Sequence, residues 1–419
     1  MKKDTFPLEG IRIVEMGTHV AIPSAARIMA DFGAYVIKIE SPCGDGWRYP
    51  GPEFSMPAEN DENPMFTMQN SNKHLVGINI KNSDGLAILE KLISTADVFM
   101  TSVRSSALKR LGLDYETLRS RFPRLIYCQN TGYGAEGPEA WRPGFDQAAF
   151  WARTGAPRDW VVEGTPPFKP SVAFGDLATG AQLLSGVLMA LLGRARTGRG
   201  TLVTTSLLNC GVWYNSNAIV SAQACYGNHY PENRDAPNNP FTGFYRTLDG
   251  EWFTIVIFAK DDGMNGLYRK MFPLLKMEDW ADELEHGSFN RSTREITARI
   301  HEEIGKRPAA EWFRILAEND ITFERCVKMK DVSRDEQAWA AGCFQTVTFQ
   351  NGHEAILTRS PVELSEYDKK PMRAMGPIGE ETRTVLLREG WKSGEIERLL
   401  EEGALVTLEP KSKCGKDEV

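Results

Sequence analysis

Over its first two hundred residues the chain alternates short β-branched runs with longer stretches of helical spacing. Few folds accept that alternation: strands joined through helices pair in parallel and need cover on both faces. Residues 11–16, 35–40, 75–80, 98–101 and 125–129 read as strands. Helical spacing fills 25–32, which ends at Gly33, and 85–96, with shorter helices near Ala107 and Thr117. A long apolar helix is expected to begin near Ala178. Thr197-Gly198-Arg199-Gly200 reads as a turn before a strand at 202–205 and another apolar helix from Leu207. The expected architecture is α/β, with a Rossmann-like large domain over residues 1–226. The polar, proline-rich stretch 227–240 reads as a linker, and 241–345 as a smaller α+β domain. There, Asp249-Gly250 marks a hairpin, followed by helices at 266–272, 293–304 and 310–318. Residues 381–400 read as amphipathic helices and 411–419 as a disordered tail.

Charge and composition narrow the function. With 49 Lys and Arg against 56 Asp and Glu, the net charge is -7. A chain this acidic has no broad attraction for nucleic acid or anionic membrane, so neither is an expected partner. No signal-peptide pattern follows Met1-Lys2-Lys3, which suggests a cytoplasmic protein. The longest apolar stretch, 183–192, is about half of a bilayer span and reads as a buried helix. The seven cysteines form no CxxC pair and the six histidines no HxxxH group, so reduced thiols and no metal site are expected. After the first strand the sequence is Gly17-Thr18-His19-Val20-Ala21-Ile22-Pro23. It lacks the GxGxxG fingerprint, and no NAD or FAD is expected.

Asp176, between Gly175 and Leu177 at the head of the long apolar helix, has two readings. It can cap the helix, or it can be a covalent nucleophile that glycines on both sides, Gly175 and Gly180, leave open to substrate and backbone donors. Asp146, in Pro143-Gly144-Phe145-Asp146-Gln147, is a turn or cap residue by type. Arg48, Lys73, Lys81, Arg110 and Arg142 are candidates for a phosphorylated ligand, each otherwise a solvated surface charge. Phe145, Phe150, Trp151 and Trp160 could line an apolar pocket or belong to the core.

Several stretches together carry a resemblance. They are Gly17 to Pro23, Ala30-Asp31-Phe32-Gly33-Ala34, Gly44-Asp45-Gly46-Trp47-Arg48, Asn70-Ser71-Asn72-Lys73, Thr131-Gly132-Tyr133-Gly134, Gly175-Asp176 with Thr179-Gly180, and Thr197 to Gly200. In this order the chain resembles family III CoA-transferases over nearly its whole length. Through Glu40-Ser41-Pro42, Pro143-Gly144-Phe145-Asp146 and Glu336-Gln337-Ala338-Trp339 it is most similar to the branch acting on 2-hydroxy acids, the phenyllactate and 2-hydroxyisocaproate enzymes.

The resemblance implies that Asp176 is the catalytic aspartate, attacking an acyl-CoA to give a mixed anhydride, with Asp146 assisting. It implies CoA contacts at Val20, Ile78, Lys81, Arg110 and Arg142. No tightly bound cofactor is implied; coenzyme A and its acyl thioester are substrates, exchanged with a free carboxylic acid. An interlocked homodimer and a C-terminal segment, 346–419, returning to the large domain are implied as well. The α-methylacyl-CoA racemases of the same fold have Gly-His-Asp where this chain has Gly144-Phe145-Asp146. Phenylalanine cannot accept a proton, which favours transfer.

Overall fold

The structure is a computed structural model that describes residues 6–407. The chain divides into two compact units. One holds the described residues up to Ala156, then Lys169–Ser221 and those from Glu336 onward; the other holds Pro157–Phe168 and Ala222–Asp335.

The first unit is built on a seven-stranded sheet. Its strands are β1 (Arg12–Met16), β2 (Tyr35–Glu40), β3 (His74–Ile78), β4 (Val98–Thr101), β5 (Ile126–Thr131), β6 (Leu202–Ser206) and β12 (Leu405–Val406), in the order β12-β3-β2-β1-β4-β5-β6. All pairings are parallel except that of β12 with β3. Because β4 returns beside β1 on the side away from β2, the strand order reverses there, and open sheets of this kind bind ligands outside the carboxyl ends at that point.

Side-chain alternation sends Val14, Ile37, Val76, Phe99 and Tyr127 to one face, under helices Ser83–Ser94, Thr382–Arg388 and Ser393–Glu401. Ile13, Val36, Val98, Ile126 and Cys128 face the other way, onto helix α1 (Ala21–Asp31) and the long helix Phe174–Thr197. Helix α1 begins at Ala21, four residues before the helical spacing suggested, because Pro23 falls in the first turn, where its missing N–H leaves no bond unmade.

The long helix begins at Phe174 and buries Thr179, Leu183, Val187 and Ala190 along one stripe, whereas Met189 and Leu192 are exposed. It is therefore half of the buried helix expected at 183–192. It is long and apolar enough to cross a membrane by length and composition, but that stripe packs on the sheet. Its approach to α1 is set by Gly180, where a Cβ would lie 2.0 Å from Ser24 Oγ and 2.9 Å from the Ala21 carbonyl.

The second unit carries an antiparallel sheet of β7 (Gly243–Arg246), β8 (Trp252–Val256) and β9 (Thr322–Arg325), with the expected hairpin at Asp249-Gly250 joining the first two. Helices Gly263–Leu274, Thr293–Ile304 and Ala309–Glu318 enclose a core around Phe253, Phe272 and Trp312. In the first unit a further hairpin pairs β10 (Phe344–Thr348) with β11 (Glu354–Thr358). The tail expected at 411–419 lies outside the described residues. Among the described residues Cys128, Cys210, Cys225, Cys326 and Cys343 are free thiols.

Gly180→Val should destabilise the protein by about 1–3 kcal/mol, since the inserted carbons must push α1 from the long helix. Urea unfolding measures this; a midpoint equal to the parent's would mean that the two helices separate without cost.

Candidate active site

The two carboxylates singled out in the sequence meet. Asp176 lies in the first turn of the long helix, and Asp146 opens a π-helical turn, Asp146–Trp151. Asp176 is not the helix cap: that position belongs to Ala173, in the left-handed conformation at φ 59°, which overturns the capping reading. Between the acids stands Gly175, where a Cβ would fall 2.2 Å from Asp146 Oδ1 and 2.4 Å from Phe150 Cγ. Only glycine lets the carboxylate reach the helix backbone. The loop bearing Asp146 is seated the same way: a Cβ on Gly132, just after β5, would lie 2.6 Å from the Gly144 Cα.

Asp146 is 8% exposed, and neither carboxylate oxygen has a hydrogen-bond partner of good geometry. Burial raises its pKa to about 6, opposed by the backbone N–H groups of Gly175, Asp176 and Ala173. Asp176 is raised to about 7, first by burial and then by the Asp146 charge. Two neighbouring carboxylates with raised pKa values are suited to acid–base or nucleophilic chemistry near neutral pH.

Asp176 opens into a cavity of about 720 Å³ at the carboxyl ends of β1, β4 and β5. Val20, Arg142 and Phe145 also line it. A smaller cleft of about 140 Å³, lined by Ile78, Ser41 and Gly44, shares Thr18 and Val103 with it. Of the CoA contacts implied by resemblance, Val20, Ile78 and Arg142 therefore face these spaces. Lys81 and Arg110 are exposed and line neither.

Two basic candidates are corrected. Arg48 binds Glu40 through both Nε (2.7 Å) and Nη2 (2.8 Å), and Lys73 Nζ lies 2.6 Å from Glu15. Both are buried, so neither is a solvated charge or free to meet a phosphate. Of the aromatic cluster, Phe150 and Trp151 are buried, Phe145 is exposed at the cavity wall, and Trp160 belongs to the second unit.

Among the cavity residues with no role assigned from the sequence are Arg104, which precedes helix Ser105–Leu111, Asn130 on β5, and His19. His19 has φ 63° and donates its N–H to Asp45 Oδ1 at 2.8 Å. Asp45 Oδ2 is 2.8 Å from Lys38 Nζ, which also bonds Glu15 (3.0 Å) and the Gly17 carbonyl (2.9 Å). Among the described residues no group of three or more His, Cys, Asp or Glu is placed to hold a metal ion.

Residues 8–382 match the family model described as CoA-transferase family III. The chain belongs to that family. It is an enzyme that transfers CoA. It is 35% identical over 390 residues, 93% of this chain and 97% of the other, to the (R)-2-hydroxy-4-methylpentanoate CoA-transferase of Clostridioides difficile. It is 34% identical over 411 residues, 95% of this chain and 97% of the other, to the cinnamoyl-CoA:phenyllactate CoA-transferase of Clostridium sporogenes. Among solved structures, a CAIB/BAIF family protein from Brucella suis superposes with a TM-score of 0.76 at 26% identity, covering 92% of this chain and all of that one.

The raised Asp176 carries a stability consequence. Its pKa rises from 3.8 unfolded to about 7 folded, so the folded state holds this proton more tightly. The associated stability is full below pH 4 and is lost as pH climbs through 7. Asp176→Asn, which cannot ionise, should therefore be more stable than the parent at pH 8, by about 1–3 kcal/mol, and closer to it at pH 4. Equal unfolding midpoints at pH 8 would contradict the assigned strain.

Proposed function

We propose that this enzyme moves CoA from an acyl-CoA, such as an aryl-acrylyl-CoA, to a free 2-hydroxy acid such as an aryllactate, using Asp176 as the covalent carrier. The observation that carries the reading is the desolvated Asp176, beside Asp146 and opening into the cavity at the point where the sheet order reverses. The two 2-hydroxy acid relatives supply the substrate class.

In the proposed sequence the Asp176 carboxylate attacks the thioester carbonyl. A C–O bond forms, the C–S bond breaks, and CoA leaves as thiolate with the electron pair. The thiolate then attacks the aspartyl carbonyl of the mixed anhydride and expels the donor acid as its carboxylate. The acceptor carboxylate next displaces thiolate from the aspartyl-CoA thioester, giving a second anhydride. The thiolate attacks the acceptor's acyl carbon, forming the new acyl-CoA and restoring Asp176. No proton is consumed and the thioester energy is retained, so ATP has no part. Arg142 and Arg104, both at the cavity, serve the CoA phosphates, with Val20 and Ile78 on the apolar parts of the cofactor. Lys81 and Arg110 act further out.

The assembly proposed is an interlocked homodimer in the cytoplasm. Met189 and Leu192 on the long helix and Val212 and Trp213 on helix Leu207–Tyr214 are exposed apolar side chains, which supports a partner chain covering them.

ATP-free incubation with cinnamoyl-CoA and a panel of free acids, followed by mass spectrometry of CoA thioesters, tests the chemistry. Phenyllactyl-CoA should form, and Asp176→Ala should lose at least 1,000-fold of the rate, about 4 kcal/mol of barrier. In heavy water, deuterium entering next to the thioester without transfer would instead make the protein a racemase. Because Asp176 must be ionised to attack, the rate should fall as pH drops through about 7. Asp146→Asn removes the neighbouring negative charge, so this acid limb should move to lower pH; a limb that stays fixed or rises would remove Asp146 from the site's electrostatics.

A further inference from the structure

Asn130 is a buried side chain for which the transfer chemistry has no use. On β5, Ile126 and Cys128 face α1 and the long helix, whereas Tyr127 faces the opposite layer. The two-residue period puts Asn130 on the α1 and long-helix side, at the carboxyl end of the strand. That is the side on which the long helix begins and presents Asp176, and both residues line the same cavity. Asn130 is 6% exposed, and its Oδ1 is buried without a hydrogen-bond partner. Its neighbour Gln129 is satisfied on the other face, where Nε2 donates to the Val103 carbonyl (3.2 Å) and to Ser105 Oγ (3.1 Å).

An orphaned acceptor calls for a donor, and few groups on these substrates can donate. A carboxylate, a thioester and phosphate esters offer acceptors. The amides, adenine and hydroxyls of CoA offer N–H and O–H donors, but Arg104, assigned above to the phosphates, leads into helix Ser105–Leu111, whose Leu108 packs in the opposite layer, which draws the body of CoA to that side. On the Asp176 side lies the reacting end of the acid, and there the donor is the hydroxyl on the carbon next to the carboxylate. Resting on the 2-hydroxy acid reading, we propose that Asn130 is the specificity-determining residue: its Oδ1 accepts the hydrogen bond of the substrate 2-hydroxyl while the neighbouring carboxyl group reacts at Asp176.

A buried group built to pair with a substrate hydroxyl rejects the analogue that lacks it, because the group is then left unpaired. The test compares phenyllactate with hydrocinnamate, the same acid without the hydroxyl, as acceptors from cinnamoyl-CoA. Wild type should favour phenyllactate in kcat/KM by at least about tenfold. Asn130→Val should bring the ratio close to one, chiefly by losing rate on phenyllactate. Asn130→Ser, which retains an acceptor oxygen, should keep part of the preference. Both acids are read on one preparation, so misfolded protein cancels from the ratio, and the serine variant supplies the answer if valine is not accepted. An unchanged ratio in both variants, or an equal loss on both acids, overturns the assignment, the latter meaning a CoA contact or a structural role. Wild-type enzyme that transfers CoA to hydrocinnamate but not to phenyllactate would sink the 2-hydroxy acid reading itself and this assignment with it.

Discussion

The site depends on a contact that has no room for a side chain. Asp146 Oδ1 occupies the space beside the Gly175 Cα, so the first turn of the long helix and the π-helical turn meet backbone to carboxylate. Because the contact is this close, Asp146 is buried next to Asp176, and each carboxylate makes the other's charge more costly. Any larger residue at 175 would separate the turns and let water in. The glycine therefore acts on electrostatics as much as on packing.

A second constraint holds the opposite wall. Glu15 on β1, Lys38 on β2, Asp45 in the loop after β2 and Lys73 just before β3 form an ion network, with the lysines and Glu15 wholly buried. Such networks are costly to desolvate and stabilise little, so their value lies in fixing one geometry. Here the geometry fixed is the loop before α1. Asp45, with its pKa held low because Lys38 and two backbone N–H groups outweigh the effect of burial, pins His19 at φ 63°. Burial lowers the pKa of Lys73 to about 7 against the opposing pull of Glu15. An arrangement that keeps a non-glycine residue in the left-handed region, beside the cavity, is strain held at a functional site.

The parts of this design that follow local rules were legible in the sequence. The β-branched runs of β2 and β4 coincide with strands at Tyr35–Glu40 and Val98–Thr101, and Asp249-Gly250 does join a hairpin. The resemblance pointed to Asp176 and Asp146, and glycine-rich surroundings marked where backbones come close. Tertiary facts were not legible. Arg48 and Lys73 look like any surface base in one dimension, because their partners Glu40 and Glu15 lie on strands whose pairing the sequence does not print. Asn130 continues the buried side of β5 after Cys128, a polar residue where the alternation asks for an apolar one. That break in the pattern was the available signal. The π-helical turn at Asp146–Trp151 has no sequence periodicity of its own.

For the nucleophilic role proposed for Asp176, which needs the ionised form, a raised pKa looks self-defeating, since at pH 7 about half of Asp176 is protonated. The loss is only about twofold in rate. Against it stands the strain of the ionised half: a charge that is desolvated and repelled by Asp146. Acylation removes the charge as completely as protonation does, so attack on the thioester releases the same free energy that raised the pKa, at most about 4 kcal/mol. The strain is restored when Asp176 is freed, and so it lowers the barrier to forming the anhydride while stabilising the acylated enzyme. A carrier that must be loaded and unloaded with nearly equal ease can tolerate this only in moderation. The backbone N–H groups of Gly175, Asp176 and Ala173, by holding Asp146 down, keep it charged near neutral pH and so sustain this strain instead of relieving it.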